Sequence, residues 1–427
     1  MTPKMGLLIG LTAMASPLAA AVVGHMTPPP SLGAAQLSAL PADARAVWQA
    51  YLARSTAAMA RDKAALVAER AGLTTIPTPP PESKAETMPL DSDAAWYATA
   101  PAQAVADNIV SYQTPTGGWG KNQDRTAPPR TRGQMYLPFD GKAGIYAPAD
   151  GAGGWSFIGT LDNDATTTEL SFLARVQTGR PGAAGERYRA TFLRGIRYLL
   201  TAEFPGGGWP QVFPLQGGYH DALTLNDDTM VKATALLQRT AAGTGDYAFV
   251  PADVRTAARD AAARSIATML ATQITSEGHK AIWAQQYDPL TRKPVGARNF
   301  EPIALATAES AALLRFLMVQ PDPSPAMRQA ITDGAAWFAS HAVRDMAWAK
   351  SSGPEGRRLV AQAGAEPLWA RFYDPATGKP VFGDRDRSIH DDVNEISLER
   401  RNGYSWFGTA GTGVAAAYAK WQQRHGA

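Results

Sequence analysis

A chain of 427 residues that is 45% hydrophobic and 19% charged can bury a large core, in one large domain or two. It has no cysteine, which excludes disulfides, thiolate nucleophiles and Cys-ligated zinc. Its 41 Lys+Arg against 38 Asp+Glu leave a net charge of +3, with no basic block and no nucleic-acid module, so an acidic small or polymeric ligand fits better than DNA.

In chain order, Lys4, the apolar run Met5–Met14, Pro17 and the small residues Ala19, Ala20 and Ala21 follow the layout of a secretory signal peptide over 1–21. The run is too short to span a bilayer, and later apolar helix patterns are interrupted by Arg, Asp or Gln. A secreted or periplasmic protein is expected, with no membrane association once the leader is gone. Residues 22–94 hold a Pro-rich connector at Pro28–Pro30, an alanine-rich helix over Ala42–Ala71 with Trp48, Tyr51, Leu52 and Met59 on one side, and five prolines between Thr74 and Asp93 that mark a linker or long surface loop.

The body, 95–427, has a uniform texture. Helical spacing is expected over Pro101–Tyr112, Ala165–Thr178, Tyr188–Glu203, Asp227–Thr240, Ala252–Thr272, Pro302–Met318, Pro325–His341 and Thr412–Gln423, separated by loops rich in Gly, Pro, Trp and Asp. Strand alternation is scarce. The pattern predicts an all-α body of helical hairpins with functional loops at one end.

Two internal echoes support a repeating plan. Gln113–Asn122 and Phe204–Gln211 each place a glycine turn and a tryptophan, Trp119 or Trp209, just after a helix. Such an indole plugs helix ends or offers a face to a sugar, and plugging carries more weight for so large a ring. Lys121 and Asn122, beyond the first turn, are better placed to touch a ligand. Tyr287–Val295 echoes Tyr373–Val381, each an Asp-Pro turn between short extended pieces, and each is followed by an arginine, Arg298 or Arg385.

Two acidic stretches stand before apolar helices: Thr160–Glu169, reached through a glycine-rich approach over 151–159, and Leu225–Met230. One reading is helix capping, with Asp164 or Thr166 as the capping oxygen. The other is two carboxylate clusters converging on one cleft, where Asp162, Asn163, Asp164, Asp227 and Asp228 supply hard oxygens for calcium. Arg371 and Arg385 either hold uronate carboxylates or pair with nearby Asp374, Asp384 or Asp386.

The segments Gly117–Asn122, Thr160–Glu169, Gly207–Gln211, Leu225–Met230, Trp283–Asp288, Ala297–Pro302, Trp369–Asp374 and Gly403–Gly408 resemble, in order, the motifs of the pectate lyases of polysaccharide lyase family 10. The resemblance covers roughly Pro101 to Tyr418. It implies an irregular (α/α) toroid with short β-hairpins in its loops, and calcium-dependent anti β-elimination of α-1,4-polygalacturonate to 4,5-unsaturated oligogalacturonates; a monomer is the default expectation for a secreted depolymerase. Carried over by position, Asp162 matches an essential aspartate and Arg298 the catalytic base. Asp162, Asp227 and Asp228 are implied to line the calcium site. Lys121, Asn163, Arg371 and Arg385 are implied to bind substrate. Asp384 and Arg387 depart from the family pattern around Arg385.

The chemistry explains why such a set is needed. A galacturonate carboxylate opposes loss of the C5 proton, and a cation bound to that carboxylate lowers the barrier. A guanidine base requires a desolvated, cation-rich site and implies an alkaline optimum; otherwise Lys121, Lys232 or His220 are the alternative bases. Other readings remain: an inverting glycoside hydrolase using Asp162 or Asp164 with Asp227 or Asp228, a terpene-cyclase-like toroid, or a non-catalytic pectin-binding protein.

Overall fold

The computed structural model describes residues 22–29, 32–81, 88–138, 155, 157–351 and 353–426. The leader expected over 1–21 and the start of the glycine-rich approach, 151–154, lie outside the described residues. Among the described residues no helix is long and apolar enough to cross a membrane.

The helices are α1 (Ala34–Leu37), α2 (Ala42–Arg70), α3 (Ala100–Ser111), α4 (Thr167–Gly179), α5 (Glu186–Ala202), α6 (Thr229–Ala242), α7 (Ala252–Ala271), α8 (Thr307–Met318), α9 (Pro325–Ser340), α10 (Leu398–Gly403) and α11 (Ala410–His425). Their apolar faces follow helical spacing. In α6, for example, Met230, Ala233, Thr234 and Leu237 are buried at steps of three and four. α9 starts where Pro325 occupies the first turn and the Ser324 hydroxyl accepts from the Met327 amide at 3.2 Å.

Two rows of helices pack against each other. α3, α5, α7 and α9 follow one another in one row, and α4, α6, α8 and α11 in the other. One large core joins them, and the fold is the irregular (α/α) toroid that the motifs implied. The expected helices are all present within a few residues, except that α8 begins at Thr307 rather than Pro302. Leu305–Ala306 instead pairs with Phe372–Tyr373 as a short antiparallel ladder. A hairpin of Met346–Lys350 with Arg357–Ala361 is an element that the sequence reading did not contain.

The tryptophan echo is a fourfold structural device. The indole N–H of Trp119 donates to Ile109 O in α3 (2.7 Å), Trp209 to Leu199 O in α5 (2.8 Å), Trp283 to Met269 O in α7 (2.6 Å), and Trp369 to Phe338 O in α9 (2.9 Å). Each indole satisfies a last-turn carbonyl and fills the end of the helix, so plugging and not sugar stacking is their role. The other two members of the set, Trp283 and Trp369, were not recognised as plugs from sequence.

The residue two positions after each tryptophan is Lys121, Gln211, Gln285 or Arg371. The backbone of the last three stitches the repeats together. Gln211 O accepts from Leu161 N (2.9 Å), Gln285 O from Leu225 N (2.9 Å), and Arg371 O from Thr307 N (3.0 Å). These bonds hold the chain just before α4, α6 and α8 against the next repeat, so the starts of those helices gather at one end of the toroid.

α2 packs into the same core. Its buried face is Trp48, Tyr51, Ser55, Ala58, Asp62 and Leu66; Leu52 and Met59 are half-buried. Tyr51 donates to Ala202 O at the end of α5 (3.0 Å), and Asp62 accepts from the Thr116 amide and hydroxyl (2.8 and 2.7 Å).

Candidate active site

Both acidic stretches form a single 3-10 turn, Asp162–Asp164 and Asn226–Asp228, and the two turns pack side by side. Each centre is left-handed: Asn163 has φ 49° and Asp227 φ 53°, followed by Asp164 at 65° and Asp228 at 58°. Asn and Asp tolerate this region, which explains the residue types. Thr166, at φ 66°, does not belong there by preference. It is pinned by its own hydroxyl, which donates to Thr160 O (2.8 Å) and accepts from Trp119 N (3.2 Å). The capping reading is thereby corrected: Thr166 is the N-cap residue of α4, but its hydroxyl caps nothing in the helix, and the strain is spent on holding the turn.

The turns bring Asp162 and Asp227 together, their carboxyl groups hydrogen-bonded to each other. Burial pushes both upward. For Asp162 the charge of the contacting Lys121 ammonium and its hydrogen bonds outweigh burial and hold the carboxyl below its ordinary value. Asp227 is pushed up to about 8, by burial first and then by Asp162. Two touching carboxyls need a shared proton or a cation between them. The buried Glu309 Oε2 adds an acceptor with no partner, and its negative charge also reaches Asp227. A divalent, oxygen-seeking cation fits this donor set. Among the described residues, however, no three carboxylate or imidazole side chains converge to form a cage. The chain supplies a pair, and further oxygens would have to come from substrate and water.

Asp228 lies 3.9 Å from the Lys232 ammonium, which also contacts Asp164, and it shares with Asp227 the charges of Glu309 and Arg371. Asn163 is exposed on the rim and donates to Asn122 Oδ1 at 2.9 Å. Lys121 lies 3.6 Å over the Phe157 ring while contacting Asp162.

The arginines form a ladder joined by aromatic rings. Arg371 lies 5.0 Å from the Tyr404 ring and Arg298 5.6 Å from it; Arg298 and Arg385 each lie 4.9 Å from Phe300. Neither Arg371 nor Arg385 pairs with Asp374, Asp384 or Asp386. Arg371 donates to the buried Glu309 at 2.6 Å, and Arg385 donates twice to Glu399 at 3.1 Å. Arg298 is forked onto the buried Glu301, Nε at 2.8 Å and Nη2 at 2.6 Å, and Tyr404 donates to the same carboxylate at 2.6 Å. Burial opposes the Arg298 charge, but Glu301 outweighs it and holds the guanidinium well above even its ordinary range.

His220 links the two halves. Burial pushes its pKa down to about 4, and its imidazole feels the charges of Asp162, Lys121 and Arg298. The first acidic turn and the arginine ladder thus act on the same imidazole, and the Arg371 charge also reaches Asp227. The Tyr219 ring lies tilted against His220, centroids 3.9 Å apart, and lines the cavity beside Arg298. Glu301, Tyr404 and Tyr219 were missed from sequence, although Glu301 and Tyr404 stand inside the quoted motifs. The Glu301 fork onto Arg298 is local, three residues along, whereas the bond from Tyr404 to Glu301 joins segments far apart in the chain.

Known proteins place the chain in a family. The family model for pectic acid lyase matches residues 113–415. A family 10 polysaccharide lyase from Cellvibrio cellulosa is 30% identical, with a TM-score of 0.64, and the match covers 81% of this chain and 98% of that one. An Asp→Ala mutant of a family 10 polysaccharide lyase from the same organism, in complex with trigalacturonic acid, matches with the same identity and score over 80% of this chain and 98% of that one. No curated protein matches. On sequence and structure together, this chain belongs to the pectic acid lyase family.

Proposed function

We propose that the protein is a secreted or periplasmic pectate lyase. In this reading it cleaves α-1,4-polygalacturonate by calcium-dependent anti β-elimination, with residues 95–427 carrying the chemistry as a monomer and releasing 4,5-unsaturated oligogalacturonates. The reading rests on the hydrogen-bonded Asp162–Asp227 pair, whose Asp227 feels the charge of Arg371, and on three arginines linked by the Phe300 and Tyr404 rings. A related lyase has been captured with trigalacturonic acid, which is the matching ligand class.

Calcium held by Asp162 and Asp227 would neutralise the substrate carboxylate and so acidify the adjacent C5–H. The residues of the chain divide the remaining work. Lys121 keeps Asp162 ionised. Arg371 and Arg385 offer guanidinium donors to neighbouring uronates, and Asn163 offers an amide at the rim. Arg298 is the candidate base. To accept a proton it must first lose one, and its bond to Glu301 resists that, so the reaction requires alkaline solution or a substrate that weakens the Arg298–Glu301 pair. His220, neutral, half-buried and within reach of the charges of Asp162 and Arg298, is the second candidate for the base.

The test is to incubate the protein with polygalacturonate, with and without a chelator, following the ultraviolet absorbance of the unsaturated product. Absorbance that disappears with chelator and returns with calcium is expected. Reducing ends without absorbance would indicate a hydrolase, calcium-dependent binding without cleavage a binding protein, and activity that survives chelation would remove calcium from the mechanism.

A further inference from the structure

The strand Val22–His25 lies outside the family-matched span 113–415, yet it reaches the candidate site. It pairs antiparallel with Ser388–His390, with Val22 opposite His390 and His25 opposite Ser388, on the side of that central strand away from Phe382–Gly383. The next residue continues the attachment: Met26 N donates to Arg387 O at 2.8 Å. The chain then crosses the loop that carries Arg298. A Cβ placed on Gly296 would lie 3.3 Å from Met26 Cε and 3.4 Å from Thr27 O. Met26 is buried in this contact, while Pro28 stays exposed.

Met26 and Pro28 thereby line a cavity of about 270 Å³ together with Tyr219, Arg298, Arg385 and Arg387. That is near the lower end of ligand pockets, which begin at roughly 300 Å³. Three of these groups are guanidinium ions, so the cavity favours an anion. The two strap residues supply its apolar side, which suits the carbon face of a sugar ring.

Building on the lyase reading, we propose that Met26–Pro28 is a specificity-determining wall of the cleft. It contacts the uronate unit held against Arg298 and Arg385, and so sets the affinity for the substrate segment bound at this end. Arg387 shares the cavity with Arg385, and the strap is bonded to the backbone of Arg387, which gives both arginines of that loop access to the same unit.

The test places charge on the wall in the full chain. Pro28→Glu puts a carboxylate at an exposed position beside the arginines, and Val23→Glu puts the same charge on the strap away from the cavity. Calorimetry with trigalacturonate, across a salt series, reads binding separately from cleavage. Like-charge repulsion is expected to weaken trigalacturonate binding to Pro28→Glu about fivefold to tenfold, with the loss shrinking as salt rises. Val23→Glu and the thermal midpoints of both variants should match the parent. Unchanged affinity in Pro28→Glu, or an equal loss in Val23→Glu, would overturn the proposal, as would absence of trigalacturonate binding by the parent. A parent that binds without producing unsaturated product, but whose binding still falls with Pro28→Glu, would sink the lyase reading and leave the wall standing.

Discussion

The turns Asp162–Asp164 and Asn226–Asp228 share a backbone and exchange their chemistry. Each follows a leucine whose amide donates to the next repeat, at 2.9 Å in both cases, and each has a left-handed middle residue. In the first turn the buried leading position is the carboxylate Asp162 and the middle is the amide Asn163. In the second the leading position is the amide Asn226 and the middle is the carboxylate Asp227. The partners are exchanged accordingly. Asp162 is fixed by the Lys121 ammonium, whereas Asn226 accepts from Gln285 at 2.7 Å and donates to Asp227 at 2.7 Å. One repeat therefore provides an anion with its own counter-ion. The other provides a carboxyl bonded to an amide and to Asp162, where a proton or a metal can neutralise it. A repeated scaffold can build an asymmetric site by moving a single carboxylate one position along the same turn.

Asp162→Asn erases this difference and should have the largest effect. It leaves the Lys121 charge without its anion and halves the carboxylate pair, so kcat on polygalacturonate should fall by at least about 10³-fold, near the upper range for loss of one electrostatic stabiliser. A circular dichroism melt would confirm that the fold survives. The transposed double variant Asp162→Asn/Asn226→Asp keeps the number of carboxylates and sharpens the question. If position matters through Lys121 and Gln285, activity should remain about 10²-fold below the parent; near-parental kcat would mean that charge count alone suffices.

Glu301→Gln probes the opposite wall of the cleft. Glu301 holds the Arg298 guanidinium above its ordinary range, so removing its charge should lower the arginine pKa. The acid limb of the kcat/KM profile should then move to lower pH by about one unit. A limb that stays in place would point to another base, with His220→Ala the next variant to measure.

The smallest effect is on stability. The Asp227 pKa is about 8 in the folded chain, above an unfolded value of about 4, so the folded state holds the extra proton and stability falls as pH rises from about 4 through 8. In chelator at pH 8, Asp227→Asn should therefore melt a few degrees above the parent, with the difference vanishing near pH 4. Added calcium should raise the parent's midpoint and leave the variant's unchanged. A difference that did not change with pH would show that Asp227 is not the strained carboxyl.

Residue spacing determined most of the helical scaffold. Apolar steps of three and four fixed the major helices because burying a helix face requires that period whatever the helix packs against. The Asp-Pro echo was legible for a similar reason. The Asp288 side chain accepts from Leu290 N and Thr291 N, and the Asp374 side chain from Ala376 N and Thr377 N, all within 3.0 Å, so each turn is specified by its own few residues. The motifs also singled out Asp162, Asp227, Arg298, Arg371 and Arg385; in the fold Asp162 meets Asp227, and the three arginines share the Phe300 and Tyr404 rings.

What the sequence left open was every relation between distant segments. No local pattern shows that Asp162 touches Asp227 and Lys121, that Asp164 contacts Lys232, or that Arg371 and Arg385 find Glu309 and Glu399. Likewise, Val22–His25 reads as a few residues before a Pro-rich connector, with nothing to announce a strand beside Ser388–His390. Such contacts depend on how the rows of helices close, and closure is decided by packing and by backbone bonds between repeats. The sequence determined the parts and the likeness to a lyase. Tertiary structure decided which carboxylate has a counter-ion, which arginine is restrained, and what walls the cleft, because charge and burial act through space and not along the chain.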